Sequence, residues 1–259
     1  MQRPKEAARL ALDLLRRPAR ALDRILEAPG AGLGQALWIY LAYLVTAVLF
    51  YTLKPDGFPP PLPDAPPPAF ERGILFWMKV HAWGPVLAAI WIAMTAWFGR
   101  LLRGGRLPVR LFAAALCGLA PLLLIFVYNN TGMPRWGFGL CWLMLVSAMI
   151  PGFRRVERGV WKPLAAVLLA VNAVAVAMLP LFMGAVLARH ALSYHVLELA
   201  MLFWTLGLAA FGVSRVMGIQ TARAFAAIFL SVVCQVFFVF SMRLLGLLPK
   251  EVLKALMTA

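Results

Sequence analysis

The chain sets long apolar runs between short charged turns. Seven long, predominantly apolar runs stand out, over residues 34–53, 73–98, 108–128, 136–152, 161–187, 197–217 and 222–247. An α-helix needs about 20 apolar residues to cross the hydrocarbon core of a bilayer. The fourth run, at about 17 residues, sits at the lower limit. It reads either as a short span or as a re-entrant or tilted partner of the third. The period-two alternation expected of a transmembrane barrel is missing from all seven runs. The pattern predicts an all-α integral membrane protein of about seven transmembrane helices.

Ahead of the first run the pattern changes. Residues 4–28 read PKEAARLALDLLRRPARALDRILEA. At the helical period Ala8, Ala11, Leu12, Leu15, Leu22 and Leu26 share one face. Lys5, Arg9, Arg16, Arg20, Asp23 and Glu27 share the other. Pro18 is expected to break this helix. A basic face opposite an aliphatic one suits an anionic membrane surface. Packing on the protein's own cytoplasmic loops is the alternative, and the two are compatible. The predicted organisation is an amphipathic interfacial helix over 1–30 and a polytopic helical domain over 31–259. Within the latter, residues 54–70 read KPDGFPPPLPDAPPPAF. So many prolines forbid a helix and predict an extended, polyproline-like strap between the first two spans.

Composition supports this reading. The chain is 63% hydrophobic and 14% charged, against roughly a quarter charged for a soluble domain, which leaves too few charges to solvate a globular surface. The net charge of +15 raises the question of nucleic acid. The basic residues fall instead in short turns beside apolar runs, where they act as topology signals. With the N-terminus inside, 17 of the 25 lysines and arginines lie on the inner side. Among them are Arg100, Arg103, Arg106 and Arg110 of a single turn. That bias predicts a cytoplasmic N-terminus and an outer C-terminus. Enrichment in Ala, Leu, Gly, Arg and Pro is associated with GC-rich bacterial genomes, so a bacterial inner membrane is expected. The first 30 residues lack the short apolar core of a cleavable signal, and the first span is expected to act as an uncleaved signal-anchor.

Candidate chemistry is sparse. Ionisable groups deep in a span mark function, and here no acidic residue lies mid-membrane. The strongest mid-span polar residues are Asn172 and Gln235. They read as interhelical glue or as parts of a substrate path. Three histidines, His81, His190 and His195, fall on the predicted outer side. His195 and Glu198, spaced i, i+3, share a helix face. Together with Asp56, Asp64 or Glu71 they make weak candidates for a nitrogen–oxygen metal site. A transmembrane haem is not expected, because only His81 lies in a span. Cys117, Cys141 and Cys234 lie in apolar runs without CxxC spacing and read as small hydrophobes. The RGGR stretch at 103–106 lacks the lysine and spacing of a phosphate loop. Its Gly-Gly pair predicts a tight turn. Gly84-Pro85, Pro121 and Pro180 are expected to kink their helices or to line a path.

Three stretches carry a resemblance. LLRRPARALDRI precedes the first span. FGRLLRGGRLPVRLF, followed by CGLAPLLL, ends the second span and enters the third. FWTLGLAAFGVSRVMGIQTARAFAAIFL covers residues 203–230 and contains the pair Arg223-Ala224. This order resembles the bacterial branch of the Yip family of Rab-interacting membrane proteins, over about half of the chain. The resemblance implies a non-enzymatic role in membrane organisation or in assembly with a membrane complex. Two departures stand out. The family has five spans where this chain has seven, with 136–187 inserted, and the Asp-Leu-Tyr-Gly-Pro motif is absent. The family's role with small GTPases is not carried over, since a bacterium lacks Rab partners. No cofactor and no nucleic acid are expected. The expected partners are membrane lipids and a membrane protein or a second copy of the chain. The alternatives are a permease or channel-like subunit for a small or lipidic substrate, and a metal-dependent membrane enzyme.

Overall fold

A computed structural model describes residues 3–55, 58–59 and 73–258. Among the described residues the chain is all-α, with no strand. Seven helical stretches are long and apolar enough to cross a membrane, and the chain is a multi-pass α-helical membrane protein. Two amphipathic helices, α1 (Arg3–Arg16) and α2 (Pro18–Glu27), come first. The spans are α3 (Pro29–Leu53), α4 (Ile74–His81) continued by α5 (Gly84–Leu101), α6 (Leu107–Thr131), α7 (Arg135–Arg154), α8 (Arg158–Ala170) continued by α9 (Asn172–Leu187), α10 (Ala191–Met217) and α11 (Thr221–Leu244). A last helix, α12 (Lys250–Thr258), was not anticipated by the sequence pattern. The proline-rich strap lies almost wholly outside the described residues, as do Asp56, Asp64 and Glu71.

The packing divides the chain into two compact units. The first comprises residues 1–84 and 162–212, with residue 259. Pro18 and Pro29 each open a helix, at α2 and α3, because proline's fixed φ and missing N–H suit the first turn; Pro121, Pro151, Pro163 and Pro180 instead lie inside their helices, as spans tolerate. α1 packs on α3 and α9 through a stripe of Ala7, Leu10 and Leu14, and α2 buries Ala21, Leu22 and Ile25. This corrects the single apolar face expected from periodicity. Ala8, Ala11, Leu12 and Leu15 form a second, adjacent stripe. They border an apolar groove of about 420 Å³ whose opposite wall includes Trp38, Ala42 and Ala177. Lys5, Arg9 and Arg16 point away, exposed. α1 is therefore amphipathic with one stripe spent on the protein and one left beside open apolar space. Close approach holds the α2–α3 turn: a Cβ on Gly32 would lie 3.2 Å from the Ile25 Cα. The far end of the unit is aromatic. Tyr51 stacks on Trp77 at 4.6 Å between centroids, and Phe182 lies between Phe50 and Tyr194. Lys54 Nζ donates to the Tyr194 hydroxyl at 3.1 Å. Such rings, apolar in body and wet at one edge, suit the bilayer interface.

The second unit comprises residues 85–161 and 213–258. Its core gathers Met94, Phe98 and Leu102 from the end of the second span, Ala114 from α6, and Ala227, Leu230 and Cys234 from α11. Lipid is as apolar as these side chains, so their association depends on close packing and interhelical hydrogen bonds rather than on escape from water. Both are present. Phe98 and Leu230 fill the space over Gly118, which has no side chain to hold them off. Thr95 Oγ1 and Ser231 Oγ meet at 2.9 Å, fully buried. α7 joins through Gly152, whose missing side chain is replaced by the Trp97 ring, and through Phe138, which packs on Tyr128. At 20 residues α7 is a full-length helix. An apolar-run count shortens it because Arg135 and Arg154 end it. Gly246, at φ 79°, turns the chain after α11. α12 then buries Val252 and Ala255; nine residues with two buried positions give too weak a period to read in advance.

Candidate functional site

The turn between α5 and α6 is built by glycine. Gly104 and Gly105 have φ of 75° and 63°, a left-handed region where a Cβ is penalised. Arg106 then serves as the extended residue before α6, and Pro108 lies in that helix's first turn. The turn is held from a distant part of the chain. Arg223, near the start of α11, donates from Nη1 to the Leu102 and Gly104 carbonyls, at 2.6 Å each, and from Nη2 to the Gly105 carbonyl at 2.8 Å. A guanidinium presents five donors in a fixed fork, so one side chain satisfies three carbonyls left over where α5 ends. Sequence reading singled out both the Gly-Gly turn and the Arg223-Ala224 pair, with no signal that they touch.

Beside this turn lies a cavity of about 430 Å³. Arg100, Arg103 and Arg110 line it from one turn, and Arg155 and Glu157 from the turn after α7. Leu101, Val156, Val160 and Met217 give it an apolar wall. Of the four arginines predicted as a basic turn, Arg106 does not line the cavity. Arg155, from outside that turn, does. Arg103 Nη1 donates to Glu157 Oε1 at 3.0 Å. Arg110 lies along the turn, where a Cβ on Gly105 would come within 3.2 Å of its Nε. Among the described residues no carboxylate pairs with Arg100, Arg110 or Arg155. The lining thus carries four guanidinium charges against one carboxylate.

This geometry also bears on the fourth span. A re-entrant α7 returns the chain to the end of the bundle where it began, so Glu157 lies far from Arg103. Their contact, and the packing of Phe153 against Trp97, require α7 to run its full length back to the C-terminal end of α5.

The mid-span amides are spent on backbone. Asn172 donates to the Leu169 carbonyl at 2.9 Å and reaches the Leu168 carbonyl at 3.5 Å. Those carbonyls belong to the last turn of α8, where the fifth span breaks at Val171. Gln235 Nε2 donates to the Leu87 carbonyl at 2.6 Å, tying α11 to α5. Neither borders the arginine-lined cavity or the groove beside α1.

The histidines are placed separately. His81 sits by Tyr51 and Trp77, its Nε2 buried without a hydrogen-bond partner. His190 Nδ1 accepts from the Ser193 N–H at 3.2 Å and caps the first turn of α10. His195 Nδ1 meets Glu198 Oε2 at 2.9 Å. Among the described residues no three His, Cys, Asp or Glu side chains are grouped to hold a metal ion. The cysteines differ in exposure: Cys117 is exposed, Cys141 half-buried and Cys234 buried. Compared with protein-family models, with curated proteins and with solved structures, the chain matches none.

Proposed function

We propose that the chain is a non-enzymatic protein of a bacterial inner membrane, with its N-terminus in the cytoplasm. It acts in membrane organisation or in assembly with a membrane complex, as its resemblance to Yip-domain proteins implies. The α6–α7 hairpin carries this reading. Across the 25 residues of α6 and the 20 of α7, only Ala114, Gly118 and Phe138 are buried. Leu116, Leu123, Phe126, Leu143 and Met144 are exposed along it, with the small Ser147 and Ala148 also exposed. More than half of the residues of these two helices are thus exposed to lipid or to other helices, and small residues let a second helix approach closely.

A permease or channel-like subunit is the second reading; against it, each of the two mid-span amides gives an N–H to a helical backbone carbonyl, the ordinary role of polar groups in a packed bundle. The test of assembly is direct. Full-length protein extracted in mild detergent is sized by light scattering and probed for co-purifying partners. A stable partner or a homo-oligomer is expected. A strictly monomeric protein with no partner overturns the reading.

A further inference from the structure

The four arginines of the cavity raise a question that topology does not answer. The positive-inside rule asks only that basic residues lie on one side of the membrane. It does not ask that Arg100, Arg103, Arg110 and Arg155, drawn from around two separate turns, converge on one space while Arg106, Arg154 and Arg158 stay out of it. These arginines are exposed, so water screens their repulsion, but their convergence concentrates positive potential in one concave space and favours an anion there. Glu157 answers only Arg103. Three guanidinium groups remain around a cavity of about 430 Å³, within the size range of small-molecule sites.

The chemistry of the lining narrows the ligand. Guanidinium forks match phosphate oxygens in pairs, which an ammonium cannot do. The support is rigid: Arg110 lies against Gly105, in a left-handed turn that Arg223 clamps through three carbonyls. One wall, formed by Leu101, Val156, Val160 and Met217, offers nothing to a bare inorganic ion. It suits the carbon skeleton attached to a phosphate. We propose that this cavity is a binding site for a glycerol-phosphate group, held by Arg100, Arg110 and Arg155, with Arg103 kept in reserve by Glu157. Two sources offer that group: the headgroup of an anionic phospholipid, or a soluble phosphate ester. The proposal rests on the cavity alone and stands whether or not the chain assembles with a partner.

The experiment is native mass spectrometry of the full-length protein in detergent, titrated with phosphatidylglycerol, with phosphatidylcholine and with glycerol 3-phosphate. Phosphatidylglycerol retained in preference to phosphatidylcholine, and not displaced by the ester, assigns the site to lipid. Binding of the ester without lipid assigns it to the soluble source. In either case the paired substitution Arg100→Gln with Arg155→Gln lowers occupancy by about tenfold or more, the loss expected for charge-assisted hydrogen bonds. Arg106→Gln with Arg154→Gln removes the same charge from nearby positions that do not line the cavity and changes occupancy by less than about twofold, whereas long-range electrostatics alone would make the two losses equal. Glu157→Gln frees Arg103 and raises occupancy, a gain that misfolding cannot produce. Equal losses in the two paired variants, no gain from Glu157→Gln, or no preference for either phosphate ligand over phosphatidylcholine overturns the proposal.

Discussion

Replacing Arg223 by alanine removes one side chain and orphans three carbonyls, those of Leu102, Gly104 and Gly105. A hydrogen bond to a charged donor contributes about 1.5–3 kcal/mol when shielded from water. Two of these three lie at exposed positions, where water replaces much of what is lost. The clamp as a whole is then worth about 2–4 kcal/mol. That energy bears on the opening of the 102–106 turn more than on global unfolding, because the core of Phe98, Ala114 and Leu230 does not involve Arg223. An opening free energy lowered by that amount raises the open population by about 30- to 700-fold. Limited trypsin digestion of the full-length protein in nanodiscs reads it out, since the turn carries Arg103 and Arg106. When reclosing is fast, cleavage tracks the open population. The alanine variant should be cut at this turn faster by a factor in that range, with other sites unchanged. Arg223→Lys should fall between, because one ammonium cannot span three carbonyls in the fork's geometry. Cleavage of the alanine variant within about threefold of the parent refutes the clamp, as does a lysine variant indistinguishable from the parent.

Other positions offer further checks. Gly152→Ala places a methyl where the Trp97 ring lies and should destabilise the second unit by about 1–3 kcal/mol, with Trp97→Ala in the same chain recovering part of the loss; a thermal shift assay measures both. A double-mutant cycle on Thr95→Val and Ser231→Ala should return a coupling of about 0.6 kcal/mol and no more than about 1.7, read from steric-trap unfolding; zero coupling means that the 2.9 Å contact carries nothing. Tags at the N-terminus and in the proline-rich strap should be shielded from and open to external protease respectively, and the reverse pattern overturns the proposed orientation.

The spans were readable in the sequence because lipid imposes a coarse rule, a run of sufficient length, and the runs end where charge begins. What lipid does not distinguish was not readable. In α1 the stripe of Ala7, Leu10 and Leu14, which packs on α3 and α9, is no more apolar than that of Ala8, Ala11, Leu12 and Leu15, which borders an open groove. Nothing in the side chains tells protein from hydrocarbon. The arginine cavity was half visible. Arg100, Arg103 and Arg110 cluster around one turn in the sequence, but Arg155 enters from a second turn and Arg106 leaves, and both facts depend on where α7 ends against α5. Asn172 and Gln235 are conspicuous in the sequence as polar residues within apolar runs. Their use, one at a helix break and one across to α5, depends on where the backbone has carbonyls to spare.

The clamp on the 102–106 turn also sets an order of events. Arg223 lies 121 positions beyond Leu102, and four further membrane crossings separate the two. During synthesis the glycine turn therefore emerges and must hold its place while the residue that locks it has yet to be translated. In that interval only charge secures it, four arginines resisting passage through the bilayer. The latch closes when α11 arrives, so a locked turn is a sign that the chain has been inserted as far as α11.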